Sequence, residues 1–464
     1  MKRDLFLGTC LFSLFLASPS HAQLKLDNEQ EIRKDVGTSS YHVASTVSRV
    51  KVAVLDNGFR GYVENSDQLP YSTFKPTAPG NAEAETNHGL GMAQILWGVT
   101  GRQPEGPTMY LLNSDGFANF KWAIDYAIQK KVDIIVYAQN WEFGGNFDGK
   151  GFINAAINKA TEKGIIWINA AGNNGGMVYN GDISIDSDSG LVRLPGPEDS
   201  LRFKSLYDNN RITFLLAWSD FTDNDDDKTV KDLDIAIYDA AGNEIPTRNF
   251  MQQGVAAPIT KKGETVPADQ NYSSYAREDV TLTLARGDYF IRIKDRSGNF
   301  VDGDTLRLNL ISDHPNSVDF VDHTEGKEIN VGADNPNVIT VGDCETYSAQ
   351  GPTLDGRQKP DVAIKLTTAV AGKKANSASS SSTSNSMPTS LTMFSDGSES
   401  MGTSNAAAIF AGTIATMMAA EPAFDKTDLL PYLEKIRKDS SVKQCNGAPI
   451  WKTPDLGELI QITR

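Results

Sequence analysis

The order of helical and extended segments constrains this chain more than any other feature of its sequence. From Val50 to about Gly175, short apolar runs alternate with segments whose apolar residues recur at helical spacing. The run at 52–55 ends in Asp-Asn-Gly, and the segment at 120–128 has apolar residues at the spacing of one helix face. Repeated strand–helix–strand order is typical of a parallel sheet with helices on both faces. The sequence therefore predicts an α/β fold for this part.

The pattern changes near residue 194 and returns after residue 315. Apolar residues alternate with polar ones at 233–237, 280–284, 289–293 and 306–310, and Gly, Asn and Asp turns separate these runs. Such alternation without helices predicts an antiparallel β-sandwich. Since strand-like and helix-like runs then resume, we expect the sandwich to be inserted into the α/β domain. The predicted division is 23–193 and 316–464 for the two parts of the α/β domain, with 194–315 between them.

Two further segments have distinctive compositions. Residues 1–22 carry Lys2 and Arg3, then the apolar run Leu5 to Leu16, then Ser20-His21-Ala22, which predicts a secretory signal peptide. The apolar run is too short to span a bilayer, so we expect a secreted protein, periplasmic or extracellular, without a stable membrane anchor. Residues 373–392 are rich in Ser, Thr and Asn and poor in large apolar residues, which predicts a mobile loop.

Charge and cysteine content narrow the range of partners. The net charge of −15 disfavours nucleic acid as a partner. The sequence does not determine the oligomeric state. Outside the predicted signal peptide, Cys344 and Cys445 form an isolated pair. In an oxidising compartment such a pair is a disulfide candidate, although the sequence does not decide whether the bond forms. Neither cysteine lies in a Cys-x-x-Cys or Cys/His cluster, so we do not expect a zinc site.

Four polar residues occur where the predicted fold would gather reactive groups. Asp56 ends the first apolar run, and Asn173 follows a later one, so both occupy the carboxyl ends of predicted parallel strands. His88 precedes Gly89 in a run of small residues. Ser404 begins the Ala-rich helical segment, where free N–H groups and the helix dipole favour negative charge.

Each of these residues also has an ordinary structural explanation, as a loop histidine, a turn residue or a helix cap. Together they have the composition of a nucleophilic site: a serine, a histidine base, an aspartate to orient the imidazole, and an amide to bind an oxyanion. Their order along the chain, Asp then His then Ser, is that of subtilisin and differs from that of chymotrypsin and the α/β-hydrolases. The combination predicts a hydrolase that acts through an acyl-enzyme.

The motifs around these residues resemble those of the subtilisin-like (subtilase) serine peptidase family. The matching segments are 52–56, 87–89, 170–173, 347–352, 359–362 and 402–404. The resemblance implies a serine endopeptidase in which Ser404 is the nucleophile, His88 the general base and Asp56 its orienting carboxylate. It further implies that Asn173 and the backbone N–H of Ser404 hold the oxyanion, and that the substrates are proteins or peptides.

The chain departs from the family's usual motifs at four places. Asn57 replaces Ser or Thr, Leu90 replaces Thr, Ala408 replaces Pro, and 138–141 replaces a Ser-x-Gly pattern beside the substrate cleft. These changes leave the predicted triad of Asp56, His88 and Ser404 in place, so we expect them to affect substrate preference and rate. The altered segment 138–141 and the added sandwich motivate a second hypothesis, that of a non-catalytic binding or adhesion protein on a peptidase fold.

Segments 232–239 and 287–293 of the predicted sandwich resemble the bacterial pre-peptidase C-terminal type of domain. The family resemblance implies that the chemistry requires no cofactor, although structural calcium is common in the family. The acidic run 220–227 offers oxygen atoms of the kind that calcium prefers. It lacks the spacing of an EF-hand, and a solvated acidic turn explains it as well.

Overall fold

The structure is a computed structural model that describes residues 26–41, 47–78, 84, 86–246, 259–261, 264–266, 275–314, 316–365, 392–393, 399–400, 402–422 and 424–454. The predicted signal peptide, and the predicted mobile loop apart from residue 392, lie outside these residues. Every helix within the described ranges is too short or too polar to cross a membrane.

The described residues contain α-helices α1 to α6 and strands β1 to β21. The helices span Glu29–Val36, His88–Val99, Phe117–Lys130, Phe152–Thr161, Thr403–Ala420 and Lys426–Lys438. Strands β1 to β11 span Lys51–Asp56, Thr73–Phe74, Thr108–Asn113, Ile134–Tyr137, Ile166–Ala170, Val178–Asp182, Leu201–Ser205, Asn210–Trp218, Leu233–Asp239, Ile259–Lys261 and Glu264–Val266. Strands β12 to β21 span Arg277–Leu284, Gly287–Asp295, Thr305–Ser312, Val318–Phe320, Ile339–Asp343, Val362–Ile364, Thr392–Met393, Glu399–Ser400, Gln444–Cys445 and Ala448–Pro449. Single 3₁₀ turns lie at Thr38–Ser40, Val47–Arg49 and Ser66–Gln68.

Seven parallel strands form a central sheet in the order β17-β16-β5-β4-β1-β3-β2. Val52 and Val54 of β1 pack into the hydrophobic cluster that contains α2 and α5. Ala53 and Leu55, which point to the opposite face, pack with α3 and α4. A sheet covered on both faces is the arrangement that the strand–helix alternation predicts, and the predicted α/β class is confirmed.

The strand order places a crevice between β1 and β4. The chain leaves β1 for β3 on one side and later returns to pair β4 on the other side of β1. In open parallel sheets, such a reversal leaves space beyond the carboxyl ends of the two strands, where ligands bind. Asp56 ends β1, and residues 138–141 follow β4. Both segments therefore border this crevice.

Helices α2 and α5 cross closely beneath the sheet. A Cβ atom on Gly412 of α5 would lie 2.7 Å from the carbonyl oxygen of Leu96 and 2.7 Å from the Cβ of Val99, both on α2. Small residues in the first turns of α5, including Ala407 and Ala408, are fully buried. Because the helices have small residues at their contact, their backbones pack almost directly on each other.

Eight further strands form two antiparallel sheets, in the orders β12-β8-β14-β6 and β15-β7-β13-β9. The sheets face each other: the rings of Phe203 and Phe214, one from each sheet, have centroids 5.2 Å apart. The predicted antiparallel strands are confirmed, and we call this part the two-sheet unit. Its strands run from Val178 to Phe320 and extend beyond the predicted range 194–315 at both ends. The burial pattern of β6 does not alternate, and β15 alternates over only three residues, so neither strand gives a clear period-two signal in the sequence.

The acidic loop 220–227 connects the two-sheet unit to helices of the α/β domain. Lys121 Nζ lies 2.7 Å from Asp225 Oδ2, and the N–H of Gly151 donates to Asp223 Oδ1 at 3.0 Å. Protein donors therefore occupy oxygen atoms that the sequence analysis considered for calcium. Among the described residues, no group of three or more His, Cys, Asp or Glu side chains could hold a metal ion. The loop forms a contact between the two parts of the chain.

Cys344 and Cys445 form a disulfide, which the sequence had left undecided. The bond closes a loop whose ends are 101 residues apart, and α5 and α6 lie within this loop. In the chain-entropy account, joining distant residues restricts the unfolded chain more strongly than joining near ones. The disulfide therefore stabilises the part of the fold that contains Ser404.

Replacing both cysteines by serine should lower the free energy of unfolding by about 2–5 kcal/mol, because the unfolded chain regains the freedom that the bond removes. Urea unfolding followed by tryptophan fluorescence would measure the change. The exposed surface variant Ser440→Ala serves as the control and should unfold with the wild type. Equal urea midpoints for the double variant and the wild type would contradict the prediction.

Candidate active site

Asp56 and His88 form the buried part of the site. Asp56 is fully buried at the end of β1, and His88 is the first residue of α2 with 6% exposure. His88 Nδ1 lies 2.8 Å from Asp56 Oδ2. Since an ionised carboxylate only accepts hydrogen bonds, Nδ1 carries the proton and Nε2 keeps a lone pair. The imidazole is therefore held in the tautomer that can accept a proton at Nε2.

The glycine after His88 allows this close approach. A Cβ atom on Gly89 would lie 2.7 Å from the Cβ of Asp56 and 2.5 Å from the ring of Phe59. The N–H of Gly89 also donates to the carbonyl of Gly58 at 3.0 Å. The His-Gly pair of the sequence thus has a physical cause, since only a residue without a side chain lets α2 begin against the end of β1.

The pKa of His88 is raised from its ordinary value. Burial disfavours the charged imidazolium and on its own would lower this pKa. The charge of Asp56 and its hydrogen bond to Nδ1 act in the opposite direction and outweigh burial. The paired carboxylate therefore makes the imidazole a stronger base than burial alone would allow.

Ser404 is the second residue of α5, and its partly exposed side chain lies at the same edge of the sheet. Its Oγ donates to the backbone oxygen of Ala138 at 2.8 Å. A hydroxyl has one proton, so in this conformation Ser404 does not donate to His88. The next residue along, Gln139, contacts both Asp56 and His88. Residues 138–139 thus connect the serine to the Asp–His pair.

Two hydrogen-bond donors accompany the Ser404 hydroxyl, the side-chain amide of Asn173 and the backbone N–H of Ser404 itself. Asn173 Oδ1 accepts hydrogen bonds from the N–H of Thr403 at 2.9 Å and from its Oγ1 at 3.1 Å. With its oxygen occupied, the amide keeps Nδ2 as a donor. The backbone N–H of Ser404 belongs to the first turn of α5, where helical N–H groups have no intrahelical partner. Both groups can donate to negative charge that develops on a substrate oxygen.

Gly402 allows Asn173 to lie against α5. Its φ of +132° is in the region that favours glycine, and a Cβ atom there would lie 2.9 Å from Asn173 Nδ2. The hydroxyl of Thr403 also accepts from the N–H of Gly172 at 3.0 Å, which fixes the turn that carries Asn173. The Gly-Thr-Ser motif therefore orients the amide as well as presenting the serine.

The structure places the departures from the family pattern in two environments. Leu90 and Ala408 are buried in the hydrophobic cluster beneath the sheet, away from polar chemistry. Asn57 donates its backbone N–H to Asp56 Oδ1 at 2.9 Å, and Gln139 reaches the same oxygen with its side chain. The first pair affects packing, whereas Asn57 and Gln139 contact the carboxylate of Asp56.

Sequence reasoning missed two residues of this site. Gln139 was noted as a departure in the cleft strand, but its contacts with Asp56 and His88 depend on side-chain direction, which the sequence does not specify. The Gly-Thr-Ser motif contains Thr403, but the motif does not reveal that Thr403 orients Asn173 through two hydrogen bonds. The sequence feature that could have indicated this role is a hydroxyl residue at the start of a predicted helix.

A sequence model of the subtilase family matches residues 48–200 and 297–444, well over half of the chain. The unmatched stretch between these segments lies within the two-sheet unit. The resemblance of that unit to pre-peptidase C-terminal domains stays a prediction.

Among curated proteins, the chain is similar to the minor extracellular protease Epr of Bacillus subtilis (strain 168), with 28% identity over 141 residues. This match covers 28% of the chain and 21% of Epr, so it spans about a fifth of that relative's length. Among solved structures, the chain is similar to the CspB protease of Clostridium perfringens, with a TM-score of 0.50 and 11% identity over 94% of this chain and 99% of that one. The prenylagaramide maturation protease PagA follows, with a TM-score of 0.39 and 11% identity over 93% and 98%.

Replacing Asp56 by Asn should lower the pKa of His88, because the charge that outweighs burial is removed. NMR titration of ¹³C-labelled histidine would measure it in the wild type and the variant. The exposed His314 gives an internal reference signal in both proteins. An unchanged titration of His88 would show that Asp56 does not control its basicity.

Proposed function

Because this chain belongs to the subtilase family, we propose that it is a secreted serine endopeptidase that hydrolyses peptide bonds through an acyl-enzyme. The observation that carries the proposal is the buried hydrogen bond between Asp56 and His88 at the sheet edge where Ser404 lies in the first turn of α5. Nucleophilic catalysis by a serine needs a neutral imidazole with a lone pair on Nε2 and a serine at a helix N-terminus where negative charge is favoured, and this site contains both.

In the proposed reaction, His88 Nε2 takes the proton of Ser404 as its Oγ attacks the substrate carbonyl carbon. This step requires the hydroxyl to leave its hydrogen bond with Ala138. The oxyanion that forms accepts hydrogen bonds from Asn173 Nδ2 and from the backbone N–H of Ser404. Protonated His88 then gives its proton to the leaving amine, and a water molecule hydrolyses the acyl-enzyme with the same base.

Secretion is part of the proposal and rests on the sequence. The charged start, the apolar run and the small residues within 1–22 are typical of a signal peptide. The disulfide between Cys344 and Cys445 fits an oxidising compartment such as the periplasm or the cell exterior. The substrates would then be proteins or peptides outside the cytoplasm.

One observation favours a second candidate, a peptidase-like protein that binds without cleaving. Ser404 Oγ donates to a backbone oxygen, and the segment beside the cleft carries the amide side chains of Gln139 and Asn140. If the serine kept this hydrogen bond when a peptide binds, it would not be activated. Reaction of the serine with an electrophile separates the two candidates.

A fluorophosphonate probe should label the protein once, at Ser404, because only an activated serine attacks phosphorus readily. Intact mass spectrometry would detect the adduct, which should be absent from Ser404→Ala and retained in Ser440→Ala, a variant of an exposed serine. Folded wild-type protein that stays unlabelled would overturn the proposed enzyme in favour of the binding protein.

Activity should fall as the pH decreases through the pKa of His88, because the general base must be unprotonated. Since this pKa is raised, the acid limb of the profile should lie above the ordinary pKa of histidine. The pH dependence of kcat/KM on a fluorogenic peptide would show it, with circular dichroism at each pH to confirm folding. An acid limb at or below the ordinary pKa of histidine would contradict the prediction.

A further inference from the structure

Three N–H groups converge on the buried carboxylate of Asp56. His88 Nδ1 lies 2.8 Å from Oδ2, and the backbone nitrogen of Asn57 lies 2.9 Å from Oδ1. The third is Gln139 Nε2, at 3.2 Å from Oδ1. Gln139 belongs to the segment after β4, so the contact connects a third part of the chain to the Asp–His pair.

The orientation of the Gln139 amide follows from its partner. A carboxylate accepts hydrogen bonds and donates none, so the NH₂ group and not the oxygen must face Asp56. The same Nε2 lies 3.3 Å from His88 Nδ1. Since Nδ1 already gives its proton to Asp56 Oδ2, two donors lie side by side and bind the two oxygens of one carboxylate. The positive ends of both N–H dipoles therefore point toward the same negative charge.

This arrangement affects the imidazole in two ways. A donor on Oδ1 draws negative charge away from the oxygen that faces His88, which weakens the support for the imidazolium. The amide hydrogens next to Nδ1 act in the same direction, because they repel a positive ring. Within the described residues, Asp56 is the charged side chain that acts on His88, so a neutral amide on its carboxylate is placed to moderate that effect.

The same segment also holds the nucleophile. Ala138 accepts the hydrogen bond of Ser404 Oγ through its carbonyl, while Gln139 donates to Asp56 with its side chain. Two adjacent residues thus contact the serine and the Asp–His pair. Movement of this segment would change both ends of the triad together.

We propose that Gln139 is a positioning residue that acts through Asp56: it fixes the rotation of the carboxylate and limits the basicity of His88. The inference rests on the proposed function for its effect on catalysis, although the effect on His88 is independent of turnover. Gln139 does not take part in bond making or breaking. Its role is to keep the imidazole oriented and neutral at a lower pH than Asp56 alone would allow.

Two variants test this role. Gln139→Leu removes the donor at similar volume, and Gln139→Glu places a second acceptor against Asp56. The control is Gln129→Leu, which makes the same change at an exposed position of α3. Near-UV circular dichroism and the thermal midpoint identify variants that fold as the wild type does. If one of the two Gln139 variants does not fold, the other still tests the inference.

The first measurement is the NMR titration of His88 with ¹³C-labelled histidine. We expect the pKa of His88 to rise in Gln139→Leu and to rise further in Gln139→Glu, with Gln129→Leu unchanged. Titration curves of the folded Leu and Glu variants that superimpose on the wild type would overturn the inference. Because this readout needs no turnover, it stands even if the protein proves not to be a peptidase.

The second measurement is the pH profile of kcat and KM on a peptide substrate. In Gln139→Leu, kcat should fall about tenfold on the plateau while KM is unchanged, as for a lost orienting contact. The acid limb should move to higher pH. A fall in kcat without movement of the limb would reduce Gln139 to a packing role and overturn the inference. Absence of fluorophosphonate labelling in the wild type would instead overturn the proposed function.

Discussion

A buried carboxylate must be paired, and the pairing of Asp56 determines the arrangement around it. An unpaired charge in a fully buried position would cost several kcal/mol, and the carboxylate of Asp56 is surrounded by N–H donors and by a glycine small enough to admit one of them. Gly89 lets α2 begin against β1, and His88, Asn57 and Gln139 supply the N–H groups. These donors come from the residue after β1, the start of α2 and the segment after β4. Three separate parts of the fold therefore donate hydrogen bonds to the carboxylate of Asp56.

The sequence predicted the elements of the site better than its contacts. The alternation of strands and helices, and the positions of Asp56 and Ser404 at element ends, follow from periodicity and capping, which are local properties. The contact of Gln139 with Asp56 depends on the pairing of β4 with β1 and on the direction of one side chain, which are not local. The same reason applies to the disulfide, whose cysteines meet only because the strands after 338 return to the central sheet.

The two-sheet unit is packed against the α/β domain as part of a continuous core. Its buried residues share one hydrophobic cluster with α3 and α4. Phe152 of α4 and Phe221 of the acidic loop have ring centroids 5.8 Å apart. Fully buried Arg307 of β14 donates to the side chain of Asn330, which lies in the chain that returns from the unit. A unit held by aromatic packing, an ion pair and a buried arginine is expected to move with its host domain.

The disulfide would keep the molecule in one piece if the chain were cut between its two cysteines. Cys344 and Cys445 lie on either side of Ser404, whereas Asp56 and His88 precede both cysteines. A single break in the chain between the two cysteines would produce two polypeptides that remain covalently joined. If the break lies before Ser404, the fragment with Ser404 could not diffuse away from the fragment with Asp56 and His88. A protein that encounters proteolytic enzymes can therefore be nicked in this region and still remain one molecule until it is reduced.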